Sequence, residues 1–469
     1  MPPERAELAD LADLAIVGGG LAGLFAAWRA RRRTAQGRAP VVRVLEAAAA
    51  PGGVVATIDE AGFRFERAAS SIRGAALELL AALKELGLGG ELVAAAPCAA
   101  KRWVAFRGRL EPTPAGPLSF VTTPLLSAGG KLRLACEPFV GEPAARPDET
   151  LASFVARRFG AGLIDPLFDA VVTGIFAGDV RKLEAASALL CMVELSAQHG
   201  SVVRGFMAAA RARKREGIST RGLFALRGGM GSLVAALARS LGDSVTCDAR
   251  VVALRRIDAG DARWELEDSR GRLVRAKEVV LATPSWAAAP LLAPLAPDLV
   301  RELAAIETAN VAVVALGVAR TQVGADVDGL GFLVPRSEES PLLGVLFESS
   351  LFPDRAPAGR VLLRCMVGGE RFVLSDDENA VADFVWREAA RYLRLTGVFE
   401  LRRVFVHKPG IPQYRPGHAR RLARIDEALA TEPRLSGLAL AGWSYRGIAV
   451  NDAVRGGPNP RAETSIRAR

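Results

Sequence analysis

The feature that most constrains the fold is a glycine-rich turn between an apolar stretch and a helical one, in the segment DLAIVGGGLAGLFAAWRARR at residues 13–32. Gly18, Gly20 and Gly23 follow the pattern G-x-G-x-x-G. In this pattern the first glycine permits a tight turn, the second lets the backbone approach a pyrophosphate, and the third lets the helix pack on the strand. Because the start of a helix offers free N–H groups to phosphates, the segment predicts a strand–turn–helix unit that binds a nucleotide.

The next predicted strand indicates which nucleotide is bound. The stretch PVVRVLE ends in Glu46, which lies 28 residues after Gly18, and the connection RRRTAQGRAP absorbs the excess over the usual spacing of about 20. Glu46 is expected to accept hydrogen bonds from ribose hydroxyls. The pair Gly52-Gly53 follows in LEAAAAPGGVV. An acidic residue followed closely by two glycines resembles FAD-containing enzymes, whereas NAD enzymes of this type need no glycines there.

Two later segments have the same strand, glycine and helix pattern. Residues 223–256 contain the turn RGGMGSL, a helix and the strand DARVVAL. Residues 438–457, LALAGWSYRGIAVNDAVRGG, contain an apolar strand and a helix start whose N–H groups would face the flavin carbonyls. Both segments resemble the flavin amine-oxidase superfamily, in which the chain returns to its FAD domain. The sequence therefore predicts an FAD domain assembled from the start, the middle and the end of the chain.

Composition argues against several other classes of protein. Half of the 469 residues are hydrophobic, which is typical of a globular chain. Five cysteines without a C-x-x-C pair and only three histidines argue against a disulfide framework, a metal site and a hydrolase. With no secretory signal and no run of about 18 apolar residues, we expect a cytoplasmic protein. The net charge of +10 could attract an anionic lipid surface or a carboxylate substrate, and no nucleic-acid partner is expected.

Five further segments narrow the resemblance. They are VTGIFAGDVRKLEAASALLCM (172–192), GLGFLVPRSEESPLLGVLFESSLFPDR (329–355), CMVGGER (365–371), KPGIPQYRPGH (408–418) and AGWSYRGIAVNDAVRGG (441–457). With them, the chain resembles the protoporphyrinogen oxidase family from about Ile16 to Gly457. The resemblance implies an oxygen-dependent enzyme of haem biosynthesis. It would oxidise protoporphyrinogen IX to protoporphyrin IX in three FAD-mediated two-electron steps and release hydrogen peroxide.

Three alternatives stay open from the sequence. A coproporphyrinogen III oxidase shares most of these segments, but four propionates would call for more basic residues around the pocket than the single arginine expected there. A flavin amine oxidase or carotenoid desaturase shares the fold, and Trp443 and Tyr445 could belong to the aromatic cage of an amine oxidase. A flavin-bearing interaction protein without catalysis is the third alternative.

The resemblance also implies roles for individual residues. Gly174 in TGIFAG would turn a backbone carbonyl toward the substrate ring, and it follows Thr173, where the family often has arginine. Arg102 would pair with a propionate, because a guanidinium forks onto a carboxylate. The implied apolar walls of the pocket are Leu330, Leu333, Leu346 and Met366. The implied cofactor-binding residues, with no metal ligand among them, are Gly18, Gly19, Gly20, Leu21, Ala22, Gly23, Glu46, Ala47, Val54, Ala68, Ala69, Ser70, Ser71, Val251, Trp443, Ile448, Ala449 and Val450.

The expected fold class is α/β, with three parts. A Rossmann-like FAD-binding domain would comprise 1–100, 222–290 and 425–469; a helical membrane-associated lobe 101–204; and a mixed α+β substrate-binding domain 205–221 and 291–424. In the lobe, an interfacial segment at 117–139 would hold four apolar side chains beside two cationic ones. These are Leu118, Phe120, Leu125 and Leu126, with Lys131 and Arg133. Expected partners are the porphyrinogen, dioxygen and the inner face of the cell membrane; a homodimer and a ferrochelatase that receives the product are further candidates.

Overall fold

The structure is a computed structural model that describes residues 11–33, 38–74, 77–141, 146–216 and 222–455. Its strands are β1 (Leu11–Val17), β2 (Val42–Leu45), β3 (Thr57–Glu60), β4 (Phe63–Glu66), β5 (Ile72–Arg73), β6 (Leu92–Ala94), β7 (Trp103–Phe106), β8 (Arg109–Pro112), β9 (Leu223–Leu226), β10 (Val245–Thr246), β11 (Val251–Ala259), β12 (Ala262–Asp268), β13 (Leu273–Leu281), β14 (Thr308–Ala319), β15 (Gly331–Leu333), β16 (Leu342–Phe347), β17 (Arg360–Gly368), β18 (Leu401–Pro412) and β19 (Leu438–Leu440). Its α-helices are α1 (Leu21–Arg31), α2 (Leu77–Glu85), α3 (Pro117–Thr122), α4 (Ala128–Ala135), α5 (Leu151–Phe159), α6 (Ala170–Phe176), α7 (Ala185–Ala188), α8 (Leu190–His199), α9 (Val202–Glu216), α10 (Gly231–Leu241), α11 (Ser285–Leu292), α12 (Pro297–Ala304), α13 (Glu348–Leu351), α14 (Glu378–Leu393), α15 (His418–Thr431) and α16 (Val450–Arg455).

The first sheet has the strand order β10-β2-β1-β13-β12-β11, and β19 pairs with the last residues of β13. Strands β10, β2, β1, β13 and β19 run parallel. Their apolar side chains are buried because helices cover the sheet; α1, α10 and α16 pack on one face. The carboxyl ends of these parallel strands therefore lie along one edge, which is where ligands bind in open α/β sheets.

The second sheet has the order β18-β14-β17-β16-β15-β7-β8. One face packs against α14 in a core of aliphatic residues that includes Val314, Leu363 and Val385. The opposite face meets the β3–β4 hairpin through Phe63 and Phe65. The second sheet thus packs between the β3–β4 hairpin on one face and α14 on the other.

One predicted boundary differs from the structure. The range 101–204 was expected to form the helical lobe, but the hairpin β7–β8 lies within it and joins the second sheet, where β7 runs parallel to β15. The pairing of Phe332 with Trp103 is a contact between residues far apart in the chain. Helical periodicity elsewhere in the range could not indicate it.

The helices α3 to α9 form a helical lobe with its own apolar core, which includes Phe154, Phe159 and Phe176. Within the expected interfacial segment, Leu118 is 78% exposed, but Leu125 and Leu126 are buried at 4% each. The prediction that these two leucines face lipid is therefore wrong, because both side chains are buried, and Leu126 belongs to the core of the lobe. In the described ranges, no helix is both long and apolar enough to cross a membrane.

Candidate active site

The glycine turn lies between β1 and α1, at the carboxyl edge of the first sheet. Gly18 has φ +104°, and a Cβ there would lie 2.9 Å from the Ala282 carbonyl oxygen, so a side chain would be both strained and crowded. Beside Gly20, no atom of the residues that the structure describes lies within 4 Å of where a Cβ would stand. The start of α1 is thus exposed to a ligand on the side where a pyrophosphate would bind.

Glu46 follows β2 and points at the glycine turn. Its Oε2 accepts a hydrogen bond from the Gly19 N–H at 2.6 Å, and its Oε1 accepts one from the Ala48 N–H at 2.8 Å. The side chain is 8% exposed, so these donors hold the carboxylate rigidly beside the turn. The Ala249 N–H donates to the Glu46 carbonyl, which brings Val251 and the start of β11 to the same corner.

The pair Gly52-Gly53 lets the loop after β2 reach the glycine turn at Gly18–Gly20. Gly52 has φ +127°, and its N–H donates to the Gly19 carbonyl at 2.8 Å. Gly53 has φ +61° and lies against the Gly20 backbone. A positive φ at two successive residues is easily adopted only by glycine. The pair therefore folds the chain back onto the first turn, and Val54 follows, half-buried against the core of the first sheet.

The loop 68–71 joins β4 to β5 and contacts both large sheets. Ala69 packs against the core of the first sheet, and Ser70 is buried. The Ala68 carbonyl accepts a hydrogen bond from the Arg364 guanidinium of β17. The preceding carbonyl, of Arg67, lies 3.2 Å from His407 Nε2, so that nitrogen must carry the proton and donate it. Arg364 and His407, both in the second sheet, thus hold the backbone at the start of loop 68–71.

The final motif lies at the opposite end of this edge. Trp443 is half-buried beside Trp286, with ring centroids 6.5 Å apart, and its carbonyl accepts the Tyr414 hydroxyl at 2.6 Å. Ile448 packs against the core of the helical lobe, Ala449 is exposed, and Val450 begins α16 within the core of the first sheet. The segment therefore lies where the helical lobe meets the first sheet.

Three of the predicted pocket walls lie on one face of the second sheet. In the register, Leu333 pairs with Gly344, Gly344 with Met366, and Leu346 with Gly331. Residues directly opposite in antiparallel strands share a face. Leu333, Leu346 and Met366 are only partly buried, on strands whose other residues are nearly all buried. The face therefore has an uncovered apolar area between loop 68–71 and helix α6.

Gly174 lies in α6 against this wall. A Cβ at Gly174 would be 2.5 Å from Leu333 Cδ2, so any larger residue would force the Leu333 side chain to move. Its carbonyl is in the last turn of α6, where carbonyls lack partners within the helix. The Arg371 guanidinium supports the helix by donating to Asp169 and to the Thr173 hydroxyl. Burial lowers the pKa of Arg371 to about 10 and raises that of the Asp169 carboxyl.

Arg102 and Leu330 directly precede β7 and β15, two strands that pair in the second sheet, and the Leu330 carbonyl accepts a hydrogen bond from the Phe347 N–H of β16. Leu330 packs in a small cluster with Leu223 and Leu351. Arg102 is exposed, with Nε 3.5 Å from the Ala99 carbonyl oxygen. Desolvation and the neighbouring charge of Arg73 lower the pKa of Arg102. The structure therefore brings the positive charges of Arg102 and Arg73 close together beside the start of β7.

Sequence reasoning missed Arg364 and His407, which link the pocket face to loop 68–71. The signal for Arg364 was present, since RVLLRCMVGG carries a single charge in the middle of an apolar strand. Such a charge on a strand with both faces buried is unusual unless it has a role. For His407 the isolated sequence carries no such signal, because its partner is a backbone carbonyl far away in the chain.

The residues at the first edge fit FAD. The open space beside Gly20 and the start of α1 suit a pyrophosphate, and the buried Glu46 carboxylate suits ribose hydroxyls. The apolar wall of the second sheet begins where loop 68–71 ends, so a flat ring system on that loop would be next to the pocket. These features fit a dinucleotide such as FAD.

Comparisons with known proteins agree with this geometry. The sequence profile of the family "Flavin containing amine oxidoreductase" matches residues 21–459. A protoporphyrinogen oxidase of Macaca fascicularis is 32% identical over 94% of this chain and 96% of its own length. A coproporphyrinogen III oxidase of Bacillus subtilis (strain 168) is 26% identical over 94% of this chain and 95% of its own.

A solved structure supports the same conclusion. A protein of Exiguobacterium sp. 255-15, provisionally named a protoporphyrinogen oxidase, is similar with a TM-score of 0.76 and 26% identity over 98% of both chains. The predicted fold class and cofactor are thereby confirmed. The chain belongs to the family of flavin-containing amine oxidoreductases, among the protoporphyrinogen oxidases, and is an FAD-dependent oxidoreductase.

Proposed function

We propose that this chain oxidises protoporphyrinogen IX to protoporphyrin IX in haem biosynthesis, in three two-electron steps, with dioxygen as acceptor and hydrogen peroxide as product. The observation that carries the proposal is the partly buried apolar wall of Leu333, Leu346 and Met366, which lies between Gly174 and loop 68–71. A porphyrinogen is a large, mostly apolar macrocycle, and such ligands bind apolar clefts that have few polar groups. The names of the relatives support the same substrate class.

The residues of the chain have separate tasks in this proposal. When bound, FAD supplies the redox chemistry, accepting a hydride from a meso carbon of the substrate. The three wall residues hold the macrocycle and exclude water, and the Gly174 carbonyl turns toward the ring. Arg102, which is exposed just before β7, binds a propionate carboxylate through its guanidinium. Glu46 and the glycine turn bind the ribose and pyrophosphate of the cofactor.

The purified protein provides the test. We expect a yellow protein with flavin absorbance that converts protoporphyrinogen IX in air to fluorescent protoporphyrin IX, with hydrogen peroxide formed in step. The control is the same reaction with protein whose FAD has been removed, which measures autoxidation. Porphyrin formation no faster than in that control, for either porphyrinogen, would disprove the proposal.

Coproporphyrinogen III is the second candidate substrate. The sequence suggested a single pocket arginine, which favoured protoporphyrinogen IX. Arg364 adds a second guanidinium beside the wall, next to Met366. That observation favours a substrate with more carboxylates, and the same assay with coproporphyrinogen III measures it.

We also propose that the helical lobe binds the inner face of the cell membrane. Besides Leu118, the exposed apolar side chains Val121, Leu132 and Phe139 lie on or just after α3 and α4. Lys131 and Arg133 are close in the chain and could meet anionic headgroups. Such attachment would let a ferrochelatase take the product at the surface; a homodimer is a separate proposal, and light scattering measures it.

Vesicle sedimentation tests the membrane proposal. The triple variant Leu118→Ser/Val121→Ser/Phe139→Ser is expected to lose most binding to vesicles with anionic lipid, because buried apolar area drives interfacial binding. The matched control is Val373→Ser/Val398→Ser, which removes exposed valines outside the lobe. Equal binding of both variants and the parent would contradict the proposal.

A further inference from the structure

The stretch KPGIPQYRPGH at 408–418 has no task in the proposed reaction, yet it contains a buried tyrosine beside the final motif. Tyr414 follows β18, is 1% exposed and belongs to the core of the helical lobe. Its ring lies edge-on to Phe176, the last residue of α6, with centroids 5.8 Å apart. On another side it stacks on the His418 ring of α15 at 4.3 Å. The tyrosine ring is therefore fixed between two helices.

The Tyr414 hydroxyl holds both ends of a turn in the final motif. It donates to the Trp443 carbonyl at 2.6 Å and accepts the Gly447 N–H at 3.1 Å. Burial raises the pKa of the Tyr414 hydroxyl, so the group keeps its proton and can donate it. Gly447 has φ +86°, which reverses the chain directly before α16. One buried group thus closes the turn 443–447, which cannot shift without breaking a hydrogen bond.

The turn leads directly into residues 448–450, the expected contacts of the flavin ring. On the other side of this segment, the Asp452 carboxylate accepts the Ala449 N–H at 2.9 Å. The Asn451 side chain donates to the Arg73 carbonyl of β5 at 2.9 Å. The backbone of 448–450 is therefore held by Tyr414 from one side and by the first turn of α16 from the other.

We infer that Tyr414 is a positioning residue for the flavin, whose hydroxyl holds the turn 443–447 so that the backbone of 448–450 faces the flavin ring. The inference rests on the proposed place of the flavin at this segment, and not on which porphyrinogen is oxidised. Backbone N–H groups fixed in advance stabilise charge that develops beside them. Their position therefore matters more for the reduced flavin, which holds two additional electrons, than for the oxidised one.

FAD binding and the flavin reduction potential test the inference without turnover. Tyr414→Phe removes only the hydroxyl. The variant should bind oxidised FAD about threefold more weakly, an effect of the size expected for one lost hydrogen bond between neutral groups. Reduced FAD should lose about tenfold more affinity than oxidised FAD, which lowers the potential of a two-electron couple by about 30 mV. Flavin fluorescence measures the affinity, and anaerobic titration of the holoenzyme against a reference dye measures the potential.

The three tyrosines of the chain provide matched controls. Tyr445 is buried in the same turn, and within the part of the chain that the structure describes its hydroxyl has no hydrogen-bond partner. Tyr445→Phe should therefore change neither FAD affinity nor potential. Tyr392 belongs to the core of the second sheet and donates to Glu338 at 3.3 Å. Tyr392→Phe loses a hydrogen bond too, but it should leave the potential unchanged. FAD content and unfolding temperature are compared for every variant.

A second measurement on the parent protein carries the test if Tyr414→Phe does not fold. The protein is made with 3-fluorotyrosine, and the spectra of Tyr392→Phe and Tyr445→Phe assign the fluorine resonances. On reduction of the bound flavin, the resonance of Tyr414 should shift more than that of Tyr392. Equal shifts, or none, would contradict the inference.

Two results with the variants would overturn the inference. In the first, Tyr414→Phe lowers the unfolding temperature but leaves the potential unchanged, which would make the hydroxyl a purely structural group. In the second, Tyr445→Phe or Tyr392→Phe shifts the potential as much as Tyr414→Phe does. Failure of the proposed function looks different, since the parent enzyme would then bind FAD but oxidise neither porphyrinogen.

Discussion

At the scale of single residues, the site depends on a few buried polar groups whose partners are backbone atoms. Glu46 is held by the N–H groups of Gly19 and Ala48, and His407 by the carbonyl of Arg67. A backbone N–H or carbonyl cannot rotate away as a side-chain partner can, so these hydrogen bonds hold the Glu46 and His407 side chains in one position. This is how a carboxylate can stay aligned with a ribose before the cofactor binds.

The first prediction concerns Glu46. We expect Glu46→Gln to weaken FAD binding by about tenfold, because hydrogen bonds to a charged acceptor are worth roughly 1.5–3 kcal/mol and the amide lacks the charge. Flavin fluorescence during titration of FAD into deflavinated protein measures the affinity. Glu85→Gln, which changes an exposed carboxylate paired with Arg32, is the control. Equal affinities in all three proteins would refute the assigned role.

At the scale of elements, the pocket depends on how closely α6 lies against β15. Gly174 allows that approach, and the Asp169–Arg371 pair anchors the start of the helix to the end of the sheet. The wall residues come from β15, β16 and β17, so their spacing is that of neighbouring strands. A change in the helix–sheet distance would therefore alter the pocket without touching the glycine turn.

The second prediction follows from this contact. Gly174→Ala should lower kcat for porphyrinogen, because the added Cβ forces the Leu333 side chain of the wall to move, while FAD content stays normal; over-packing of this kind typically costs about 1–3 kcal/mol of stability. The double variant Gly174→Ala/Leu333→Ala removes the clashing side chain and should recover part of the rate. Steady-state kinetics with flavin-normalised enzyme provides the measurement. An unchanged kcat in the single variant would show that the helix position does not matter.

At the scale of the whole molecule, the two sheets must keep a fixed relation, because the cofactor edge belongs to the first and the pocket wall to the second. Loop 68–71, held by Arg364 and His407, is one link. The buried Glu66–Arg355 pair, 2.9 Å apart, is another. Burial raises the pKa of the Glu66 carboxyl, although Arg355 opposes this.

The third prediction concerns that pair. Arg355→Met should destabilise the protein by about 3–5 kcal/mol, because it leaves Glu66 buried without its cation. Arg360→Met breaks the exposed pair with Glu400 and should cost no more than about 1 kcal/mol. Urea denaturation of the three proteins measures the difference. The double variant Glu66→Gln/Arg355→Met should be more stable than Arg355→Met; if it is not, the buried charge is not the cause.

The fourth prediction is a loss of stability in acid. Burial lowers the pKa of both His407 and His418 below the ordinary value of 6.5. Their contribution to stability is therefore present above about pH 6.5 and is lost as the pH falls through the lower, folded-state pKa, since the unfolded chain takes up protons first. His418→Gln should flatten the decline in unfolding temperature between about pH 7.5 and 5. A decline as steep as in the parent protein would contradict this.

The sequence by itself determined the parts of the protein that depend on local conformation. The glycine turn, β1, α1 and Glu46 are close in the chain, and only glycine readily adopts the positive φ of Gly18 and Gly52. For the same reason the FAD-binding unit and its return segments were predictable from short motifs. The named wall residues came from resemblance, and their roles stay predictions.

Only the tertiary structure decided which face of a strand meets the pocket and which side chains are buried. Leu125 and Leu126 have the composition of a lipid-facing segment, yet the lobe packs over them. The β7–β8 hairpin joins the second sheet through Phe332, far away in the chain. Arg364 is brought beside Leu346 only by the pairing of β16 with β17. Burial and pairing arise from contacts between distant residues, and a local pattern carries no information about such contacts.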